Sequence, residues 1–370
     1  MTDFADMRVA LIGPLPPPEG GMANQTRQLA GLLEREGARV TLVRTNAPYR
    51  PAWIGSVRGL RALFRLVAYV RDVWRAMGAA DVAHVMANSG WSWHLVAAPA
   101  IWIARLRGVP VLVNYRGGAA EAFLAREACW VRPTLRRADA LLVPSEFLRA
   151  VFARHGVAAE IVPNIIDLDL FSGANRSSVR AAGPHLVVAR NLEPIYDIGT
   201  AIRALAIVRR RHPGATLSVA GTGPEREALD ALVRETGVGD SVRFTGRLVP
   251  ADMAKLYAAG DVMLNPSLVD NMPNSVLEAL ASGIPVVSTN VGGVPYLVED
   301  GRTALLVPPG DPDAMAAATL RLLDDATLAE RLRSGGREDA KRYAWPWVKE
   351  RLRSVYDAAR AAHGELARHA

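Results

Sequence analysis

Short apolar runs alternate along this chain with small-residue loops and helical periods, and that alternation constrains the fold more than any other feature. The run at 7–12 leads into a Pro/Gly loop and then into a helical period that Gly37 closes. The same order restarts at 185–189 and continues through runs at 217–220, 262–264 and 285–289. Two such series predict an α/β fold with two doubly wound, Rossmann-like parallel sheets. Ligands of such sheets bind beyond the carboxyl ends of the strands, so we expect a cleft between two domains.

A polar, small-residue stretch separates the two series and is the expected linker, residues 174–184. We therefore expect one domain over 1–173 and a second over 185–345. At about 150 residues per domain, 370 residues suffice for two.

Composition excludes several classes of protein. Half of the residues are hydrophobic and 22% are charged, which is typical of a soluble globular chain and not of a disordered or fibrous one. A net charge of +7 is too small for a genome-scanning nucleic-acid binder. The single Cys129 excludes internal disulfides and a Cys-rich zinc site, which favours a reducing compartment.

The chain opens without the features of an export signal, since Asp3 and Asp6 stand where a signal peptide carries positive charge. Residues 82–104 carry no Asp, Glu, Lys or Arg, but Asn88 and Pro99 interrupt them, which favours burial within the protein over burial in lipid. We expect a cytoplasmic protein.

Positive charge concentrates in the first half, where residues 1–172 hold 20 arginines against 14 acidic residues. A basic amphipathic helix is predicted there, with an apolar stripe of Leu60, Leu63, Val67, Val70 and Trp74, and with Arg58, Arg61 and Arg65 away from the stripe. Two interpretations stay open. The helix packs on the first sheet with a solvated arginine face, or it docks on an anionic membrane surface or acceptor at the inner face of the membrane.

The densest chemical signal lies in residues 265–285. A strand ends at Leu264, and a helix is predicted to begin near Ser275 and to stop at Gly283, so that loop amides and a helix N-terminus form an anion site. Asp270 and Glu278 are eight residues apart, and both can face one ligand. Alternatively, Ser275 and Glu278 form a capping box, in which the glutamate only satisfies a backbone N–H.

Glycine pairs follow several strands, at 20–21, 221–223 and 292–293, and allow a close backbone approach to a phosphate. None of them completes the dinucleotide fingerprint GxGxxG. Arg190 directly follows the strand at 185–189, so its guanidinium emerges at the same carboxyl edge. A cation at this place can neutralise a diphosphate.

These motifs occur in an order that resembles the retaining GT-B glycosyltransferases of family GT4, over nearly the whole chain and most closely from 185 to 310. The order is Gly20-Gly21, Arg190, Gly221-x-Gly-Pro, Pro266-Ser267, the Asp270/Glu278 pair, Gly283-x-Pro-Val-Val and Gly292-Gly293. The resemblance implies a GT-B architecture, with a nucleotide-sugar donor held mainly by the second domain. It also implies a C-terminal helix, here about 346–370, that packs back on the first domain.

Carried over position by position, the resemblance assigns roles to named residues. Glu278 would hold the donor ribose hydroxyls, and Asp270, a shortened version of the usual glutamate, would contact the transferred sugar. The diphosphate, the sugar and the base would meet backbone or side-chain atoms of Gly20, Gly21, Gly221, Gly246, Arg247, Met272, Asn274 and Ser275. Pro273 has no N–H to offer where the family commonly has glycine.

Two departures concern the leaving group and the first domain. The lysine that usually follows the arginine is missing from 190–199. Arg116 stands where a histidine is common and is the candidate for the replacement cation. His84 lies near the place of a frequent first-domain histidine, and a catalytic and a buried structural role both remain open.

The resemblance implies a retaining glycosyltransferase that needs no metal or other cofactor. Asp167-Leu168-Asp169 looks like a metal-binding DxD motif but precedes the linker, which matches the GT4 pattern instead. We expect a nucleoside diphosphate sugar, UDP-sugar favoured, as donor. A glycan or lipid-linked hydroxyl is the expected acceptor, in surface polysaccharide or glycolipid biosynthesis. The alternative is a catalytically degenerate nucleotide-sugar binder or scaffold.

Overall fold

The computed structural model of the chain describes residues 3–17, 20–47, 60–172 and 183–369, with the side chains of 60–63 and 364–369 left aside. The chain divides into two compact units. The first comprises Met1–Ile165 together with Trp345–Ala370, and the second comprises Ile166–Ala344. The expected linker, 174–184, falls almost wholly outside the described residues.

The first unit contains a six-stranded parallel sheet in the order β2-β1-β3-β4-β5-β6. A π-helical turn, Trp93–Ala97, leads into the helix that begins at Ala98. The strands are β1 (Arg8–Gly13), β2 (Arg39–Arg44), β3 (Val82–Ala87), β4 (Val111–Tyr115), β5 (Ala140–Val143) and β6 (Glu160–Ile161). The helices are α1 (Gly21–Arg35), α2 (Leu60–Met77), α3 (Ala98–Leu106), α4 (Ala120–Leu135), α5 (Glu146–Arg154) and, from the end of the chain, α14 (Trp345–His369).

The second unit repeats this plan with a parallel sheet in the order β12-β11-β10-β7-β8-β9. Its strands are β7 (His185–Ala189), β8 (Thr216–Ala220), β9 (Val242–Gly246), β10 (Val262–Asn265), β11 (Val286–Thr289) and β12 (Leu305–Val307). Its helices are α6 (Leu168–Ser172), α7 (Ile198–Arg211), α8 (Arg226–Glu235), α9 (Pro250–Ala259), α10 (Asn274–Ser282), α11 (Val294–Leu297), α12 (Pro312–Asp324) and α13 (Ala326–Ala340). The predicted α/β fold with two Rossmann-like sheets is confirmed.

Each sheet of this kind has a switch point, where the strand order reverses and a crevice forms at the carboxyl edge. In the first sheet the switch point lies between β1 and β3, and in the second between β7 and β10. Residues that follow these four strands are therefore the ones placed to meet a ligand.

Helices cover both faces of the first sheet. Side chains of α1 and α14, such as Leu33 and Tyr356, share a core with one face of the sheet. The other face is covered by α2, α3, α4 and α5, whose inward residues form a second core. In that layer the Tyr69 hydroxyl on α2 donates to the Val96 carbonyl at 2.8 Å, which joins α2 to the turn before α3.

The apolar stripe predicted for α2 does not face the sheet. Among the residues of this helix whose side chains are described, the buried ones are Tyr69, Val73, Ala76 and Met77. Val67 is 60% exposed and Trp74 is 43% exposed, so the predicted stripe lies on the outer side where the structure describes it. The helix is apolar on two faces, and only packing against the sheet selects the inner one.

The predicted basic residues of α2 are only partly described. Arg58 lies outside the described residues, and the Arg61 side chain is not described. Arg65 is half-buried, and its Nη2 donates to the Thr45 carbonyl at 3.2 Å, so this cation is engaged with backbone. Along the part of the chain described here, no helix is both long enough and apolar enough to cross a membrane.

Candidate functional site

Polar side chains meet at the switch point of the second sheet. Arg190 directly follows β7, and its Nε donates to the Asn265 Oδ1 at the end of β10 at 2.9 Å. Its Nη2 forms an ion pair with the Asp270 carboxylate, and both side chains are about 10% exposed. Two residues that the sequence assigned to different parts of the donor are therefore direct partners.

The surroundings hold this ion pair in place. The Arg190 guanidinium lies 5.0 Å from the centre of the Tyr196 ring, a cation–π distance. Burial raises the pKa of Asp270 above its usual value, while Arg190, the Asn271 N–H and the Ser267 hydroxyl oppose the rise. The Ser267 Oγ also donates to the Asn265 Oδ1 at 3.0 Å. The cation is thus fixed in direction, which suits it to a developing negative charge.

Glu278 does not form a capping box. The helix α10 begins at Asn274 after Pro273 as N-cap, and among the described residues none caps it with a side chain. Glu278 is the fifth residue of the helix, not in its first turn, and its Oε2 accepts a hydrogen bond from the Tyr257 hydroxyl at 3.1 Å. Within the described part of the chain, the buried Ser275 Oγ has no hydrogen-bond partner.

The environment of Glu278 raises the pKa of its carboxyl group. Burial raises its pKa to about 7, although the Tyr257 hydrogen bond and the charge of Arg190 lower it. A carboxylate that stands near half ionisation at neutral pH is suited to accept hydrogen bonds from a ligand, because such bonds favour its ionised form. With the capping box excluded, a ligand-binding role is the interpretation that remains from the sequence.

Glycines let neighbouring loops lie directly against this site. Gly221 has a φ of +152°, and a Cβ there would lie 1.9 Å from the Arg190 carbonyl oxygen. A Cβ at Gly293 would lie 1.7 Å from the Asn271 carbonyl oxygen, and the Gly293 N–H donates to the Asp270 carbonyl at 2.9 Å. These glycines are required by packing behind Arg190 and Asp270, a use that the sequence alone did not reveal.

The other predicted donor residues of the second unit lie at the same edge. Gly246 ends β9 with a φ of +71°, and its carbonyl accepts from the Gly221 N–H at 2.8 Å. Arg247 follows and is exposed, whereas Met272 is buried in the loop after β10. Asn274 and Ser275 are the first two residues of α10, where helix amides point along the axis.

In the first unit, Gly20 and Gly21 stand at the N-terminus of α1, which follows β1 at the switch point. Gly20 is extended, and a Cβ there would meet no described atom within 4 Å. Neither backbone strain nor packing thus requires this glycine. A small residue there leaves the first amides of α1 accessible, as the prediction of a phosphate contact needs.

Arg116 and His84 belong to one chain of hydrogen bonds, which we call the Arg116 relay. The Arg116 Nε donates to the Asn114 Oδ1 at 2.8 Å. The Asn114 amide nitrogen therefore donates to the His84 Nε2, 2.9 Å away, and the His84 Nδ1 carries the proton that it donates to the Tyr356 hydroxyl at 2.8 Å. The relay runs from the edge of the sheet to α14.

Charge and burial in the Arg116 relay separate its two titratable members. Burial and the charge of Arg116 lower the pKa of His84 to about 3, so the fully buried imidazole is neutral. Burial lowers the pKa of Arg116 to about 10, which leaves it charged at neutral pH. Among the described residues its buried Nη1 has no hydrogen-bond partner. This arrangement favours the structural interpretation of His84 and leaves Arg116 with a donor for an anion.

No cluster of three or more His, Cys, Asp or Glu side chains is arranged as metal ligands in the described ranges. In the DxD-like segment, the Asp167 Oδ1 accepts from the Leu170 N–H at 3.0 Å. Asp167 thus caps the short helix α6.

The sequence analysis missed four residues of the two clusters, which are the site around Arg190 and Glu278 and the Arg116 relay. The missed residues are Asn265, Tyr257, Asn114 and Tyr356. Asn114 carried a signal, because it is an amide side chain within the buried strand Val111–Tyr115. Asn265 had a weaker one, as a polar residue at a strand's carboxyl end. The two tyrosines lie in helices far away in sequence from their partners, where no local pattern singles them out.

The chain matches two family models, described as "Glycosyl transferases group 1" over residues 183–325 and as "Glycosyl transferase 4-like domain" over residues 20–164. It is 30% identical over 315 residues to the glycogen synthase of Mycobacterium tuberculosis, covering 81% of this chain and 73% of that protein. It is also 30% identical to a GDP-mannose-dependent alpha-(1-6)-phosphatidylinositol monomannoside mannosyltransferase of the same species, covering 90% of this chain and 93% of the relative.

Solved structures share its fold. The sucrose-phosphate synthase of Thermosynechococcus elongatus superposes with a TM-score of 0.76 at 22% identity, over 96% of this chain and 100% of that one. The Anabaena protein HepE, solved in complex with UDP and glucose, superposes with a TM-score of 0.70 at 18% identity, over 95% and 99% of the two chains.

Proposed function

The chain belongs to family GT4 of the GT-B glycosyltransferases, and we propose that it transfers a sugar, with retention of anomeric configuration, from a nucleoside diphosphate sugar to a hydroxyl of a glycan or lipid-linked acceptor. The observation that carries the proposal is the Arg190–Asp270 ion pair beside Glu278 at the switch point of the second sheet. A fixed cation, an anion and a ribose-binding carboxylate are what such a donor requires.

The proposed reaction is a front-face displacement. The bond from the anomeric carbon to the diphosphate oxygen breaks, and the acceptor oxygen bonds to the same face of that carbon. The acceptor's proton passes to the departing diphosphate. Arg190 and the N-terminus of α10 stabilise the negative charge that develops on the diphosphate, and Asp270 stabilises the positive charge of an oxocarbenium-like sugar.

Arg116 is the proposed second cation for the diphosphate, in place of the lysine missing from 190–199. Its unpartnered Nη1 and its fixed Nε support this assignment. Arg116→Lys keeps the charge but loses the hydrogen bond to Asn114, whereas Arg116→Ala loses both. We expect kcat to fall in the order wild type, lysine variant, alanine variant, and equal kcat in all three contradicts the role.

For the donor, UDP-sugar is our first candidate. HepE was solved with UDP and glucose, while the mannosyltransferase relative is named as GDP-mannose-dependent, so the test compares both bases. A thermal-shift screen of UDP-glucose, UDP-N-acetylglucosamine and GDP-mannose identifies the donor, because a ligand that binds the folded state raises apparent stability. Release of nucleoside diphosphate then measures transfer.

Glu278→Ala is the decisive variant for the donor site. We expect it to abolish the thermal shift with the best donor, whereas Glu235→Ala, an exposed glutamate of α8, retains it. Normal donor binding by Glu278→Ala contradicts the proposed site. If the wild-type protein releases no nucleoside diphosphate from any donor of the panel, with or without extracted acceptors, the degenerate-binder alternative is favoured.

We also propose that the reaction needs no metal ion, since cationic side chains and amides take its place at the diphosphate. Activity should survive dialysis against EDTA. Restoration of a lost activity by Mg²⁺ or Mn²⁺ contradicts this.

A further inference from the structure

The outer side of the α2–α3 layer carries exposed apolar side chains in regular order. On α2, Phe64, Val67 and Trp74 are spaced by three and seven residues, which places them on one side of the helix. Leu95, Trp102 and Leu106 are spaced by seven and four residues on the turn and helix of α3. We call these six residues the outer apolar surface.

Contacts within the first unit make the two stripes neighbours. The Arg107 guanidinium, at the end of α3, lies 4.8 Å from the centre of the Trp74 ring at the end of α2. Both helices bury their opposite sides in the same core against the first sheet. Their exposed stripes therefore face outward from the same layer. Single exposed apolar residues are common on protein surfaces, but a contiguous set like this one marks an interaction site.

Arginines lie beside the outer apolar surface. Residues 60–137 contain eleven arginines and four acidic residues, of which Arg65, Arg105 and Arg116 are engaged within the protein. The Arg137 guanidinium lies 3.9 Å from the centre of the Trp102 ring. Arg71 and Arg75 are exposed on α2, and Arg71 shares its charge with the exposed Asp72 at 3.0 Å. Tryptophan flanked by arginine is the composition of a membrane–water interface, where the ring enters the headgroup level and the cation meets phosphate.

We propose that the outer apolar surface docks this protein on an anionic lipid bilayer, with the tryptophan and aliphatic side chains in the headgroup region and the arginines on lipid phosphates. A second copy of the chain fits less well, because a symmetric pair would bring the same arginines together from both sides. The surface differs from the one expected from the sequence, since Arg65 is engaged with backbone and the apolar stripe of α2 faces outward.

Docking is measured without donor or acceptor, so its failure and a failure of the proposed transfer reaction are separate results. The full chain is sedimented with vesicles of phosphatidylcholine alone and of phosphatidylcholine and phosphatidylglycerol at about 7:3, in 0.1 M salt. We expect at least tenfold stronger binding to the anionic vesicles, and a loss of most of it at 0.5 M salt. Absence of binding to the anionic vesicles overturns the proposal.

The variant Val67→Glu with Leu106→Glu changes two residues that are 60% and 73% exposed, so neither substitution buries a charge. We expect it to bind anionic vesicles at least tenfold more weakly than wild type. The matched control is Leu42→Glu with Trp347→Glu, which adds the same charge at two exposed apolar residues of β2 and α14. Its binding should change less than threefold.

Two outcomes of the variants overturn the proposal. One is equal weakening by both pairs of substitutions, which leaves net charge as the cause. The other is a wild-type dimer in sedimentation velocity that Val67→Glu with Leu106→Glu converts to monomer without changing vesicle binding, which identifies a second copy as the occupant.

Discussion

Replacing Glu278 by glutamine should stabilise the protein while weakening its donor site. Burial raises the pKa of Glu278 from 4.5 to about 7. A raised carboxyl pKa contributes stability that is fully present below pH 4.5 and lost as the pH rises through 7. At pH 8 the loss corresponds to about 3.5 kcal/mol at most, since each pKa unit is worth about 1.4 kcal/mol.

Glutamine avoids this loss because it does not ionise, and its Oε1 can still accept the Tyr257 hydroxyl. We expect Glu278→Gln to raise the free energy of unfolding by about 1–3 kcal/mol at pH 8, and by less than about 1 kcal/mol at pH 5. In the same variant, donor affinity should fall about ten- to a hundredfold, because a charged hydrogen bond is worth about 1.5–3 kcal/mol.

Urea denaturation at pH 5 and pH 8, followed by circular dichroism, measures the stability, and titration with the donor from the thermal-shift screen measures binding. Glu235→Gln, on the exposed side of α8, is the control and should change neither. The reasoning is refuted by equal stability of Glu278→Gln and wild type at pH 8, or by a gain at pH 5 as large as the gain at pH 8.

Three further predictions concern other parts of the two clusters. Gly221→Ala should lower the free energy of unfolding by about 2 kcal/mol or more and reduce kcat, because its Cβ would lie 1.9 Å from a carbonyl oxygen. The control is Gly239→Ala, whose Cβ meets no described atom within 4 Å. Its free energy of unfolding, measured by thermal unfolding, should stay within about 0.5 kcal/mol of wild type. Arg190→Ala leaves the Asp270 carboxylate buried and unpaired and should cost about 3–5 kcal/mol; if adding Asp270→Asn recovers none of it in urea denaturation, the ion pair is not the cause. The pH–rate profile between pH 5 and 8 should have no step from His84, whose pKa is about 3, so a step lost in His84→Gln contradicts the structural role.

Local sequence patterns predicted the elements of the fold well. The strand at 185–189 coincides with β7, and Gly283, with a φ of +67°, ends α10 as expected. Apolar runs and glycine turns are local signals, since a buried strand and a helix C-terminus each need their residue types regardless of the rest of the chain. The family resemblance, which rested on such motifs, is confirmed.

Choices between two locally acceptable arrangements were not predictable. Helix α2 is apolar on both sides, so periodicity alone could not decide whether Val67 or Val73 faces the sheet. The Ser275 and Glu278 spacing satisfied a capping box, but Glu278 bonds Tyr257, 21 residues away, instead. Such contacts depend on tertiary packing, which overrides a helix-end preference worth about 1 kcal/mol.

The Arg116 relay has a consequence for how this sequence can change over time. Arg116 can only donate hydrogen bonds, so it sets the orientation of Asn114, the tautomer of His84 and the demand for an acceptor at Tyr356. A phenylalanine in place of Tyr356 would leave a buried imidazole proton without a partner. In related chains we therefore expect the residues at positions 84, 114, 116 and 356 to vary together. The residue at position 356 in the last helix would then depend on the residue 240 positions earlier, at 116.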